Sequence, residues 1–176
     1  MAAIVVTWSV LATVLLGLGL WAQRALGVRE LAGPRPLWAM WMGLAVVVAL
    51  LQVWHFFQPV NVVALIAVHA LGLAGLMWSH EDFLPWVRGL MVRANLGRVI
   101  ALGMTAIWLA NRAMGPGDAH DSGLYHYPVI EWSKTHVIVP GIGNLAATYA
   151  ISNASLLFTA LLDHGLWDSR SNHLAN

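Results

Sequence analysis

The sequence predicts an all-α protein embedded in a membrane as a bundle of four or five spanning helices, with one polar loop outside it. Three observations lead there. The chain is 59% hydrophobic and 10% charged, whereas a soluble globular domain is roughly 45–50% apolar and about 25% charged. Its apolar runs reach the roughly 20 residues that a helix needs to cross the hydrocarbon core. Its few cations fall mostly in two of the segments between those runs. A net charge of +1 supplies no basic field for nucleic acid. The absence of cysteine excludes disulfides and thiolate metal sites. The whole chain reads as one transmembrane domain.

The first span covers about 3–22. Its flanking cations, Arg24 and Arg29, follow the apolar stretch, which is the reverse of a cleaved leader, so it reads as a retained helix. The second span, about 37–57, and the third, about 60–78, are separated by "FQPVN". Pro59 there suits a break between helices and predicts a hairpin. A fourth span covers about 97–114. A fifth apolar segment, about 145–162, carries Thr148, Tyr149, Ser152, Asn153 and Ser155 in its first half and reads either as a span or as an interfacial helix. Trp21, Trp38, Trp41, Trp54, Trp78 and Trp86 lie near span ends, where indoles favour the headgroup region. Gly17, Gly19, Gly72 and Gly75 offer small surfaces for close helix approach. His55 reads as a boundary residue. His69 sits mid-span, where an imidazole bonded to a neighbouring helix is the commoner outcome and function the rarer one.

Orientation follows from lysine and arginine. Arg24, Arg29 and Arg35 follow the first span, and Arg88, Arg93 and Arg98 follow the third. The opposite side receives Arg112 and Lys134. The cation-rich side should be cytoplasmic, which places loop 115–144 outside.

That loop holds Asp118, His120, Asp121, Tyr125, His126, Tyr127, Glu131, Lys134 and His136. Pro128 suits the first turn of a short helix. Val129, Trp132 and His136 then share a face, with Trp132 as an interfacial anchor. "VPGIGN" closes the helix with a turn. Three readings of the polar cluster stay open on residue type and spacing alone. It is a solvated loop with Asp121 or Ser122 as a helix cap. It is a divalent-metal site drawn from Asp118, His120, Asp121, His126 and His136, without the spacing of a strong metal motif. Or it is an active site at the outer membrane face, with Asp121 as base and histidines moving protons.

The stretch "DSGLYHYPVIEWSKTHVIVPGIGNLAATYAISNASLLFTALLDHGLWDSRSNHLAN", with "FFQPVN" before it, resembles a family of poorly characterised bacterial multi-pass membrane proteins. These in turn resemble the integral-membrane glycosyltransferases of the GT-C type, which use polyprenol-linked sugars. The resemblance is specific from about Asp118 onward and loose before it. In that family an outer-loop Asp is followed four residues later by Tyr and then by a helix lying along the membrane. Asp121 and Tyr125 match that pattern, and 126–136 matches the helix. The resemblance implies that Asp121 is the general base. Tyr125 and His126 would position donor or acceptor, Arg112 or Lys134 would balance the lipid phosphate, and Asn144 joins the substrate-binding set. It implies a bacterial inner-membrane location, a role in cell-envelope glycan assembly and no resident cofactor. This chain departs from the pattern in three respects: four spans precede Asp121, no cation follows Gly-Asn-Leu until Arg170, and such enzymes are several times longer. On that basis the chain reads as the N-terminal portion of a larger protein. The alternative from another class is a non-catalytic transport or assembly component whose outer loop binds a partner or a divalent metal.

Overall fold

The computed structural model describes residues 1–28, 35–90, 92, 95–115, 122–145, 147–150 and 154–175. The described residues are helical and contain no strand. The long helices are α1 (Ala2–Ala25), α2 (Arg35–His55), α3 (Val62–Trp78) and α5 (Leu96–Ala113), with the shorter α4 (His80–Leu90) between the last two. After them come α6 (Tyr127–Thr135), α7 (Ala154–Leu162) and the single-turn α8 (Asn172–Ala175). By length and hydropathy α1 and α2 can each cross a membrane, and the sharply bent pair α3–α4 makes a third span if counted as one. Two such helices mark the chain as membrane-associated.

The chain divides into two compact units. The first comprises Met1–Leu44 and His69–Gly115; the second comprises Ala45–Val68 and Pro116–Asn176. Each unit therefore takes one half of α2 and one half of α3.

In the first unit α1 is the axis, and backbone-to-backbone contact is its organising feature. A Cβ on Gly17 would lie 2.0 Å from the Gly72 carbonyl oxygen, one on Gly19 1.7 Å from that of Ala39, and one on Gly43 1.8 Å from that of Leu15. Hydrogen is the side chain that permits these approaches, as the small-residue pattern predicts. Leu16 and Leu20 fill the space beside them with Ala39, Met40, Leu76 and Phe83.

The end of α1 is equally legible in its residues. Gly27 takes φ +68°; its N–H donates to the Arg24 carbonyl, and Val28 N–H donates to that of Gln23. This is the paired closure that a left-handed glycine allows at a helix C-terminus. Arg24 then reaches across, and its Nη1 donates to the Trp78 carbonyl at 2.7 Å. A cation there satisfies an orphan carbonyl at the negative end of α3. Gln23 and Ser79 are fully buried, and neither side chain has a hydrogen-bond partner among the described residues.

Helix α4 occupies what the sequence presents as a loop. Glu81 falls in its first turn and Arg88 in its last, which complements the helix dipole. Pro85 lies inside it. Among the described residues of the apolar segment at 145–162, a 3₁₀ turn covers Ala147–Ala150 and α7 covers Ala154–Leu162.

The second unit is built around the α2–α3 turn. The Trp54 indole N–H donates to the Pro59 carbonyl at 2.9 Å, and the Asn61 side chain caps α3 by accepting from Val63 N–H at 3.0 Å. The C-terminal segment grips this turn from two directions. Val60 N–H donates to the Ser133 carbonyl at 2.7 Å, and His164 Nε2–H donates to the Val60 carbonyl at 3.0 Å. Helix α6 packs on α7, and Ile130 and Ser133 are its buried residues. Trp132 is half-buried, with its ring beside those of Tyr149 and His136.

Candidate functional site

The polar residues of the second unit converge on Lys134. It sits in the last turn of α6, and its ammonium donates to Asp168 at 2.7 Å, Glu131 at 3.0 Å and Asp163 at 3.2 Å. Glu131 is one helical turn away, at i,i+3 spacing. Asp163 and Asp168 come from beyond α7. Side-chain exposure is 9% for Lys134 and 6% for Asp163, whereas Glu131 and Asp168 are mostly exposed. The centre of the cluster is thus one buried ion pair with two wet carboxylates at its rim.

The loop after α7 is folded around the Asp163 carboxylate. Ser169 N–H donates to its Oδ1, and the Ser171 hydroxyl donates to its Oδ2. To aim that N–H inward, Ser169 adopts φ +57°, and Gly165 adopts φ +62° earlier in the same loop. A left-handed serine is held only where the surroundings determine it. Here the surroundings are a buried anion that requires donors.

Charge follows geometry. Burial acts to lower the Lys134 pKa, but hydrogen bonds to Asp168, Glu131 and Asp163, with the charge of Asp163, outweigh it and hold the value above the ordinary lysine range. Asp168 is held below its ordinary value by the hydrogen bond from Lys134 and then by its charge. Lys134 is therefore a permanent cation with its three donors taken, unsuited to proton transfer and with none left for a phosphate.

These shifts set a pH window. The raised Lys134 contributes stability that is complete below its ordinary value and lost as pH rises through the higher folded value. The lowered Asp168 contributes stability that is present above its ordinary value of 3.8 and lost as pH falls through the lower folded one. Hydrogen-exchange protection of the Ser169 amide, corrected for intrinsic rates, is expected to stay level between these limits. It should decline on acidification below about pH 4, where carboxylates protonate.

The other residues singled out by sequence are distributed as follows. Asp121, with Asp118 and His120, lies outside the described residues. Ser122–His126 winds as a π-helical turn that runs directly into α6, with Pro128 in the first turn. Tyr125 and His126 are half-buried and meet edge to face, with ring centroids 4.4 Å apart. Asn144 is exposed and closes the 3₁₀ turn after Gly141, its N–H donating to the Gly141 carbonyl at 2.9 Å. Arg112 is exposed in the last turn of α5, in the first unit. His55 Nε2–H donates to the His136 carbonyl at 3.1 Å, so this boundary histidine ties α2 to the segment after α6. Among the described residues no three His, Asp or Glu side chains are grouped to hold a metal ion; the three carboxylates that do converge hold an ammonium instead.

Sequence reasoning missed Asp163 and Asp168. One signal could have found them: Lys134 is the sole lysine or arginine between Arg112 and Arg170, and an isolated cation in an apolar context needs a carboxylate partner.

No curated protein and no solved structure matches this chain. A family model does, over residues 1–176, and the chain belongs to that family, described as a domain of unknown function (DUF8201).

Proposed function

We infer that the chain is a multi-pass bacterial inner-membrane protein of the GT-C glycosyltransferase kind, with four spans provided by α1, α2, α3 and α5. In this reading loop 115–144 is extracytoplasmic, and the protein acts on a polyprenol-linked sugar in cell-envelope glycan assembly. The observation that supports it is the π-helical turn at Ser122–His126. Such turns occur frequently at functional sites. This one begins immediately after Asp121, sets Tyr125 and His126 side by side and leads into α6. In the reaction Asp121 takes the proton of an acceptor hydroxyl while that oxygen attacks the anomeric carbon. The bond from sugar to phosphate breaks, and the polyprenyl phosphate leaves with the electron pair. Tyr125 and His126 orient the sugar. Because Lys134 is committed to carboxylates, recognition of the phosphate falls to other groups.

A second reading, a non-catalytic assembly component, is favoured by the Lys134 cluster itself, where polar residues serve architecture. Transfer from a radiolabelled polyprenyl-phosphate sugar, assayed with the full protein in proteoliposomes, separates the two. Loss of a general base costs about 10²–10⁴-fold in rate, so Asp121→Asn is expected to reduce transfer by that factor at unchanged expression and topology. Equal transfer by wild type and variant, or none by either, removes Asp121 from chemistry and leaves the assembly role. External labelling of Ser122→Cys in intact cells tests the side of the loop.

A further inference from the structure

We propose that the segment following α6, Val137–Leu145, is a lipid-inserted lip seated at the end of α2. The segment leaves α6 through an extended His136 and is tied to the last residue of α2. Ile138 N–H donates to the His55 carbonyl at 3.0 Å, and the His136 carbonyl accepts from the His55 ring. Helix α2 carries 20 apolar-rich residues from Pro36 to His55, about 30 Å at 1.5 Å per residue, which matches the hydrocarbon thickness. Whatever is bonded to His55 lies at the depth where that helix leaves the hydrocarbon. Trp54, one residue earlier, has the indole expected at that depth.

The surface presented there is apolar. Phe57 and Leu145 are each 73% exposed, and Phe56, Val137, Ile138 and Val139 are exposed as well. From Val137 to Leu162 the chain contains no Asp, Glu, Lys or Arg. In a protein that already carries bilayer-crossing helices, such a surface, continuous with a spanning helix, fits lipid better than water.

Backbone chemistry sets how deep it can go. Irregular chain facing lipid must satisfy its own polar groups, and four N–H groups of this segment are bonded in that way. Ile138 is bonded to α2; Ile142 N–H donates to Val139, Asn144 N–H to Gly141 and Leu145 N–H to Ile142; Pro140 has no N–H. The lip therefore sits at the headgroup–acyl boundary, with side chains inserted and turns self-bonded. Without charge, its insertion is independent of ionic strength and of lipid headgroup charge. The inference rests on α2 crossing the bilayer and is independent of any transferase activity.

The cysteine-free chain permits a direct test with the full protein in phosphatidylcholine nanodiscs. An environment-sensitive fluorophore is placed at Ile138→Cys, Leu145→Cys and Phe57→Cys in turn, with Val53→Cys, exposed on α2, as the lipid-facing reference and Arg170→Cys as the aqueous one. Labels at Ile138→Cys and Leu145→Cys in the lip, and at Phe57→Cys beside it, are expected to be quenched by shallow spin-labelled lipid severalfold more than at 170, with no change on raising salt. Iodide quenching equal to that at 170 would place the lip in water and overturn the proposal. So would a blue-shifted label untouched by lipid quencher, which would mean that protein covers the surface. If Val53→Cys is also untouched by lipid, α2 does not cross and the lip falls with it.

Discussion

Replacing Lys134 by methionine is expected to destabilise the second unit by about 3 kcal/mol, the lower end of what removing one partner of a buried ion pair costs. The lower end applies because the Asp163 carboxylate, 6% exposed, keeps donors from Ser169 and Ser171 while losing its counter-charge. Glu131→Gln and Asp168→Asn remove rim carboxylates from the same ammonium. Glu131→Gln should cost under about 1 kcal/mol, as exposed pairs do, and Asp168→Asn should have a smaller effect than Lys134→Met. The double change Lys134→Met with Asp163→Asn removes both buried charges and should recover most of the loss. Thermal unfolding in detergent, with limited proteolysis of the segment after α7, measures all four. A Lys134→Met protein as stable as wild type would show that the cluster does not hold the C-terminal segment in place.

The second large effect is steric. Gly19→Ala would place a methyl group 1.7 Å from the Ala39 carbonyl oxygen, and Gly43→Ala would place one 1.8 Å from that of Leu15. Both obstacles are backbone, so relief requires helices to separate, not a rotamer to change. Overpacking typically costs about 1–3 kcal/mol and occasionally more, and both variants should fall at or above the top of that range. Gly103→Ala, on α5, meets nothing within 4 Å. It should be neutral or stabilising by up to about 1 kcal/mol, the helix propensity difference. Unfolding in mixed micelles compares the three. Equal behaviour of Gly19→Ala and Gly103→Ala would refute close contact of α1 with α2.

Much of this architecture is legible along the chain because long apolar runs leave helices few alternatives. Helices α1, α2, α3 and α5 lie within a few residues of the predicted spans, and Gly17, Gly19, Gly72 and Gly75 stand at close helix approaches as expected. Other elements were hidden for identifiable reasons. Helix α4 contains Pro85 amid charged residues, which reads as a loop; its neighbours in the first unit, Phe83 against Leu16 and Leu20 among them, keep it wound. The segment at 145–162 reads from composition either as a span or as an interfacial helix, and composition does not reveal the 3₁₀ turn at Ala147–Ala150. Tyr125 and His126 were readable as neighbours, whereas the π-helical winding that joins them to α6 was not.

Lys134 shows the division most plainly. The family resemblance made it a loop cation available to a lipid phosphate. Asp163 and Asp168 lie 29 and 34 residues further along the chain, and only the packing of α7 on α6 brings them to the same ammonium. What the sequence by itself determined is therefore where helices form and how closely they can approach, because hydrophobic runs, glycines and prolines act locally. Which polar groups meet was decided by tertiary structure. A buried charge takes whatever partner the fold delivers, and that distance is set by packing rather than by position in the chain.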